Sequence, residues 1–346
     1  MNVLVLPAWS SASTESYMRR VALILVFWLC STVLPYAQES PLKLPIIGWL
    51  SPATTQSYNQ PGPGNPGLHL LRESLARHGL IDGENMRLDM RLAEGKLDRL
   101  PELAESLVRD GATVILASGE AAGRAAQAAT KLLPIVCVGD DLVNSGLAAS
   151  LAKAGSNMTG VSILATELDA KKIELLKELL PDAKRFGVLN DPATSGLNRP
   201  QAIADTARRL GVALQTIDVR SFDDLESAFQ AFQVGRVEGV DIVSSAMLTS
   251  FRQRLGELSL AAKIPSICQF RNMVEVGCLA SYGITIPEFY AVSSGQIARL
   301  LKGAKPADLP VQQPTKFELV INLKTARLLG LEVPPTLLAR ANEVIE

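Results

Sequence analysis

The sequence is poor in the residues from which catalytic and metal-binding sites are most often built. It contains 2 histidines and 4 cysteines among 346 residues. His69 and His78 are nine positions apart on one predicted helix, too far to bind one metal ion together, and no cysteine spacing is that of a metal site. A G-x-S-x-G nucleophile turn is also missing. We therefore expect neither an enzyme nor a resident metal or other cofactor.

An excess of one charge is missing as well. The 34 Lys and Arg residues nearly cancel the 35 Asp and Glu residues, and no basic run occurs. A nucleic-acid-binding surface normally shows such a run. The stretch nearest to a phosphate loop, around Gly119 and Gly123, lacks both the G-x-G-x-x-G and the G-K-[ST] patterns. We therefore do not expect a nucleic acid or a nucleotide as partner.

Long apolar runs are confined to the N-terminus. Met18, Arg19 and Arg20 form a basic segment that precedes a largely apolar run of 14 residues, Val21 to Leu34, and small or polar residues follow. This order is typical of a secretory signal, and the run is short for a membrane span. We expect translation to start at Met18, a signal peptide of residues 1–37 cleaved after Ala37, and a periplasmic protein. An uncleaved N-terminal anchor is the alternative.

Three cysteines follow the signal, and all lie in apolar segments that resemble strands. Free cysteine is among the most buried residue types, so we expect Cys137, Cys268 and Cys278 to be buried structural thiols. In an oxidising compartment Cys268 and Cys278 could instead form a disulfide. The sequence leaves this alternative open.

The stretch from Thr113 to Asp140 is the unit around which the rest of the chain is organised. TVILA is a short β-branched run, Glu120 to Leu132 is rich in helix-forming alanine, and PIVCVG is a second apolar run. Two apolar strands joined by a helix predict a parallel βαβ unit. Ligands of such sheets bind beyond the carboxyl ends of the strands, which here are Ser118–Gly119 and Gly139–Asp141.

An internal repeat extends this unit to two similar lobes. Three pairs of segments correspond in the same order: IGWLSPATT (47–55) with FGVLNDPATS (186–195), TVILAS (113–118) with DIVSSA (241–246), and KLLPIVCVGD (131–140) with AKIPSICQFR (262–271). Strand and helix alternate in both series, which predicts two Rossmann-like α/β lobes with parallel sheets. Their loops should face each other across a cleft.

The candidate ligand-binding residues lie in those loops. They are Ser51, Thr54, Ser118, Gly119 and Asp140 in the first lobe, and Asn190, Ser245, Tyr282 and Gly283 in the second. Helix N-termini that point into the cleft would favour an anionic ligand group such as a carboxylate. Asp140 is the candidate for a ligand ammonium. Trp49 fits a core position better than a ligand-stacking one.

Local patterns also predict two helices between residues 142 and 180. We expect a helix over Leu142 to Ala152, and a helix to Leu180 with Thr166 as its N-cap. Lys171, Lys172 and Lys177 stand beside Glu174 and Glu178, which predicts a solvated face of that helix.

Three stretches carry a resemblance to a known family. They are VGDDLVNSGLAASLAKAGSNMTGVS, ELLKELLPDAKRFGVLNDP and KGAKPADLPVQQPTKFELVINLKTARLLGL. They are similar to ABC-transporter substrate-binding proteins, including tryptophan/tyrosine-type binders, and the match covers residues 44–346. The resemblance implies a type I periplasmic binding fold, whose two lobes are joined by three hinge strands. It also implies that a small molecule, such as an amino acid or other small carboxylate, is captured in the interlobe cleft.

The implied partners are an ABC permease and, through it, an ATPase subunit. The membrane would be reached only through the permease, and we expect a monomer. A periplasmic sensor that feeds a receptor or kinase, without a transport role, is the alternative function. A sugar-repressor-type regulator has the same fold, but a DNA-binding segment precedes that fold where this chain has its export signal.

The lobes should be discontinuous in sequence. The predicted helix Pro287 to Lys302 follows the last strand of the second lobe, and the PTKFELVINLK segment then offers a returning strand. We expect lobe one to comprise residues 44–159 and 284–312, and lobe two residues 160–283 and 313–346. The three crossings would pass through GVSI, SYGIT and TKFEL.

Overall fold

A computed structural model describes residues 44–55, 67–193 and 199–346. The predicted signal peptide, most of the long loop that follows Ser51, and Thr194 and Ser195 of the second predicted loop lie outside the described residues. None of the described helices is long and apolar enough to cross a membrane.

The first sheet has five strands, and every neighbouring pair is parallel. The strands are β1 Ile46–Ser51, β2 Arg87–Leu92, β3 Val114–Ser118, β4 Ile135–Gly139 and β5 Met158–Ser162, in the order β2-β1-β3-β4-β5. β1, β3, β4 and β5 are buried along their whole length. Successive side chains of a strand point to opposite faces, so these runs need helices on both sides of the sheet.

Helices cover both faces of the first sheet. They are α1 Gly67–Ala76, α2 Leu100–Arg109, which follows a short 3₁₀ helix at Leu97–Arg99, and α3 Glu120–Ala129. Ala104 and Leu107 of α2 pack on the face that carries Ile115 and Ala117. Leu71 of α1 packs on the opposite face.

The second sheet has seven strands. They are β6 Arg185–Asn190, β7 Ala213–Asp218, β8 Gly239–Ile242, β9 Ser266–Cys268, β10 Ala280–Ile284, β11 Phe317–Asn322 and β12 Glu343–Ile345, in the order β12-β11-β10-β9-β8-β6-β7. The part β7-β6-β8-β9-β10 repeats the strand order of the first sheet. The internal repeat that the sequence indicates is therefore confirmed.

One pair departs from the predicted parallel sheets, because β11 runs antiparallel to β10. The course of the chain explains the difference. β10 leads out of the second sheet at its carboxyl end, and the chain returns to β11 from the same side. A strand that re-enters a sheet where its neighbour left must run in the opposite direction.

The remaining helices are distributed over the two sheets. They are α4 Ala165–Leu179, α5 Arg199–Arg209, α6 Asp224–Val234, α7 Ala246–Ser250, α8 Arg252–Ala262, α9 Arg271–Val274, α10 Ile286–Leu301, α11 Leu323–Leu329 and α12 Pro335–Leu338, with a 3₁₀ helix at Pro306–Asp308. Of these, α10 packs on the first sheet, where Ile297 and Leu300 share a core with Trp49 and Leu71. The chain therefore passes between the sheets after β5, after β10 and before β11. The fold is a two-lobed α/β fold.

Two local predictions are wrong. No helix forms over Leu142 to Ala152, because the Asp141 side chain accepts from the Asn144 amide and Gly146 adopts a left-handed φ of 75°, which turns the chain away. Thr166 is not an N-cap. α4 begins two residues earlier than predicted, after Leu164, which has a left-handed φ of 59° and makes no side-chain cap.

The predicted solvated lysine face is wrong for one of its three lysines. Lys171 and Lys177 are partly exposed, but Lys172 is completely buried. Lys172 lies on the side of α4 that covers the second sheet, where two carboxylates neutralise it. The i,i+3 pattern alone could not reveal this burial, because one of the two carboxylates comes from β8.

The predicted burial of the three thiols is confirmed. Cys137, Cys268 and Cys278 are buried and free, so the alternative Cys268–Cys278 disulfide is not formed. Burial raises the pKa of Cys137 and of Cys268 well above the ordinary value for a thiol. Both groups are therefore held as neutral side chains of the core.

Candidate ligand-binding site

A cleft with a cavity volume of about 130 Å³ lies where the carboxyl ends of the two sheets meet. The first sheet contributes residues at the ends of β1, β3 and β4, among them Ser51, Ser118, Gly119, Glu120 and Asp140. The second sheet contributes residues that follow β8 and β9, among them Ser244, Ser245, Phe270 and Asn272. The loops that follow β1, β3, β4, β8 and β9 line the cleft, as the βαβ pattern and its repeat predict, but the described part of the loop after β6 does not.

The structure brings five of the nine predicted site residues to this cleft and places the other four elsewhere. The five are Ser51, Ser118, Gly119, Asp140 and Ser245; Thr54, Asn190, Tyr282 and Gly283 do not line it. The ligand roles of all nine remain predictions.

Three of the four residues that lie outside the cleft make contacts within the second lobe instead. Asn190 Nδ2 donates to Asp218 Oδ1 at 2.8 Å. The ring of Tyr282 stacks on that of Phe317 with centroids 6.2 Å apart. At Gly283 a Cβ atom would lie 2.3 Å from the Gln269 carbonyl oxygen, so this position serves close backbone packing.

Trp49 lies in the core, as expected, but it contacts two residues that line the cleft, Ser118 and Tyr290. Its ring is 1% exposed. Its Nε1 donates to Ser118 Oγ at 2.9 Å, and its ring meets that of Tyr290 edge-on with centroids 6.1 Å apart. Because Ser118 Oγ accepts from Trp49, the hydroxyl proton of Ser118 is available for an acceptor in the cleft.

Three aromatic residues line the cleft, Phe270, Phe289 and Tyr290, and they are called its aromatic wall below. Phe289 and Tyr290 lie near the start of α10 with ring centroids 5.0 Å apart and an interplanar angle of 81°. Phe289 and Tyr290 were not predicted from the sequence. Both lie in IPEFY, directly after the predicted SYGIT crossing. A chain that crosses between the lobes at the carboxyl ends of the strands passes beside the cleft, so this position could have indicated them.

Glu120, the first residue of α3, was also missed. Its Oε1 accepts from the backbone amides of Asp140 and Asp141, which ties the end of β4 to α3. Its Oε2 is buried and has no hydrogen-bond partner among the described residues. Burial raises the pKa of Glu120 above its ordinary value, and the amides of Asp141, Glu120 itself and Asp140, together with Arg199, oppose that shift.

Asp140 joins the two lobes. It lies at the end of β4, yet it accepts from Arg199 Nη1 at 2.9 Å and from Ser244 Oγ at 2.8 Å, and both donors belong to elements of the second sheet. Burial and the Glu120 carboxylate raise the pKa of Asp140 well above its ordinary value, against the opposing effect of Arg199.

Arg199 continues this contact into a buried network of alternating charges. Arg199 Nε lies 2.5 Å from Asp169 Oδ2, and Lys172 Nζ lies 2.8 Å from Asp169 Oδ1 and 2.7 Å from Asp241 Oδ1. Burial opposes ionisation of Asp169, but Arg199 and Lys172 together lower its pKa below the ordinary value. Burial raises the pKa of Asp241 to about 7, because Lys172 offsets only part of the cost.

Ser245 is engaged within its own lobe. Its Oγ donates to Asp191 Oδ2 at 2.5 Å and accepts from the Leu248 amide at 3.2 Å, which caps α7. Burial raises the pKa of Asp191, and the Ser245 hydrogen bond opposes that shift. Ser245 therefore shapes the cleft wall through these two bonds.

A cleft between two similar α/β lobes, with polar groups at the strand ends and an aromatic wall, defines a protein that binds a small molecule. The described residues contain no cluster of histidine, cysteine or carboxylate side chains that could hold a metal ion. The chain belongs to the family of ABC transporter substrate binding proteins, whose model matches residues 68–345. Members of this family are binding proteins and not enzymes.

Individual relatives agree with this assignment. A tyrosine-binding protein of Clostridioides difficile (strain R20291) is 27% identical over 263 residues, which cover 75% of each chain. The ABC domain from Streptococcus pneumoniae in complex with L-Trp is 26% identical with a TM-score of 0.77, and 88% of this chain and 100% of that chain are covered. A conserved domain protein from Vibrio cholerae is 25% identical with a TM-score of 0.76, with 86% and 98% covered.

Proposed function

We propose that the protein binds an amino acid with an aromatic side chain in the interlobe cleft and delivers it to the permease of an ABC import system. The observation that carries the proposal is the cleft itself, which is lined by the aromatic wall and by polar groups from both sheets. An aromatic ring buries a large apolar area, and a few polar groups then fix its orientation. The relatives that bind tyrosine or were solved with L-Trp support the same ligand class.

Binding would be coupled to closure of the two lobes. A ligand can drive closure only through contacts that are better in the closed form than in the open form. The contacts of Asp140 with Arg199 and Ser244 belong to the closed form, because they join the two sheets. We keep the predicted lobes, residues 44–159 with 284–312 and residues 160–283 with 313–346, as the two rigid parts of this motion.

The site of action would be the periplasm, and the permease with its ATPase subunit would be the partner. The basic segment, the apolar run and Ala37 at the expected cleavage position support export. Mass spectrometry of the periplasmic fraction is expected to find a chain that begins near Gln38. An intact N-terminus in the cytoplasm would contradict export.

A thermal-shift screen of the purified protein against the common amino acids, small carboxylic acids and sugars tests the ligand class. A ligand at 100 times its Kd stabilises the folded state by about 2.7 kcal/mol, so L-tyrosine or L-tryptophan should raise Tm by several degrees. No shift with any amino acid, together with a shift for a sugar, would contradict the proposal.

A further inference from the structure

Two buried oxygen atoms of the cleft residues lack hydrogen-bond partners among the described residues. They are Glu120 Oε2 and Asn272 Oδ1. Glu120 is 1% exposed and Asn272 is 8% exposed, and both residues line the cleft, one from each lobe. A buried acceptor without a donor costs free energy, so two such acceptors at one cleft indicate a ligand that supplies donors.

Asp140, the carboxylate that the sequence indicates for a ligand ammonium, has other partners. One of its oxygens accepts from Ser244 and the other from Arg199. Glu120 differs, because only its Oε1 is used, by the two amides of Asp140 and Asp141. Of these two carboxylates, Glu120 therefore has the oxygen that is left for a ligand.

We propose that Glu120 is the specificity-determining residue for the ligand amine, and that Asn272 accepts from the same group across the cleft. The inference rests on the proposed function and assigns one part of it. An ammonium group has three donors, which is enough for both the Glu120 carboxylate and the Asn272 amide oxygen. The charge of the carboxylate makes its bond stronger than one between neutral groups.

Other cleft groups are suited to the rest of such a ligand. The Ser118 hydroxyl accepts from Trp49, so its proton can be donated to a ligand carboxylate. Phe289 and Tyr290 line the cleft and give it apolar ring surface for an aromatic side chain. A ligand that presents an amine, a carboxylate and an aromatic ring would match these three kinds of group.

A purely structural role for Glu120 is the competing explanation, because its Oε1 bonds alone could hold the end of β4 against α3. Glu120→Gln separates the two. The amide oxygen of glutamine can still accept from both backbone amides, but the negative charge is lost. Glu102→Gln is the matched control, since Glu102 also lies in the first turn of a helix but is exposed and outside the cleft.

The experiment is calorimetric titration of the parent, Glu120→Gln and Glu102→Gln with two ligand pairs: L-tryptophan and indole-3-propionate, and L-tyrosine and 3-(4-hydroxyphenyl)propionate. The members of each pair differ only in the amine. We expect Glu120→Gln to weaken binding of the amino acids by about 10- to 100-fold and of the deaminated acids by less than about 3-fold. Glu102→Gln should match the parent.

Equal losses for both members of a pair, or no loss for either, would overturn the inference and leave the proposed function intact. A parent protein with the same affinity for the amino acid and its deaminated analogue would also overturn it, and that comparison needs no variant. A parent protein that binds no amino acid would overturn the proposed function, and the inference with it.

Discussion

Lys172→Ala is expected to lower the free energy of unfolding by about 3–5 kcal/mol, the cost of removing one partner from a buried ion pair. Lys172 is completely buried and lies within 2.8 Å of Asp169 and 2.7 Å of Asp241. Its ammonium group also donates to the Ile242 carbonyl at 2.6 Å. Without it, two buried carboxylates face each other with less compensation.

Lys171→Ala is the matched control, because Lys171 is the neighbouring residue on α4 but forms a partly exposed pair with Glu174. Such a surface pair contributes about 0–1 kcal/mol. Urea unfolding followed by circular dichroism measures both variants. Similar losses for Lys171→Ala and Lys172→Ala would contradict the buried network.

The loss of unfolding free energy caused by Lys172→Ala should depend on pH. Burial raises the pKa of Asp241 to about 7, above its unfolded value, so the folded state binds more protons than the unfolded state between those two values. The stability that this group contributes is present at low pH and is lost as the pH rises through 7. Removal of Lys172 strengthens that shift, so the variant should be closer to the parent at pH 5 than at pH 8.

Asp140→Ala is expected to weaken ligand binding by about 10- to 100-fold, because it removes the charged hydrogen bonds that join the lobes. Asp140 accepts from Arg199 and Ser244 across the cleft. Their loss destabilises the closed form relative to the open form, and the apparent affinity falls with the population of the closed form. Calorimetric titration with L-tyrosine or L-tryptophan measures the effect.

Asp141→Ala is the control for the closure contact. Asp141 is the next residue in the chain, but its carboxylate bonds the backbone and side chain of Asn144 within the same loop. We expect this variant to bind the ligand as the parent does. Unchanged binding by Asp140→Ala would show that the interlobe contacts do not control closure.

Much of the fold could be predicted because strand alternation and the internal repeat are local patterns. The repeat pairs residues 113–118 with 241–246, and these segments overlap β3 and β8, which take the same place in their sheets. The registers of the two sheets place residue 239 at the position that corresponds to residue 114, so the predicted pairing is shifted by three residues. The loops beyond those strands line the cleft as the parallel arrangement requires. The antiparallel pairing of β10 with β11 was harder to predict from the sequence, because the direction of β11 depends on where the chain re-enters the second sheet.

The chemistry of the site was harder to predict, because it depends on partners far apart in sequence. Lys172 has the spacing of a surface helix residue, and only the position of Asp241 under α4 explains its burial. Asp140 follows a strand, as a ligand-binding residue would, but Arg199 of the other lobe reaches it. In the sequence, Glu120 is an acidic residue at the start of a helix. Its neighbours in the sequence do not show whether its carboxylate has a structural or a ligand-binding role.

The most direct test is a crystal structure of the protein grown with saturating L-tyrosine or L-tryptophan, whichever raises Tm more. We expect one ligand molecule between the carboxyl ends of the two sheets, with its ring against Phe289 and Tyr290 and its amine about 3 Å from Glu120. A ligand bound outside this cleft, or a cleft that stays empty at saturating concentration, would contradict the account.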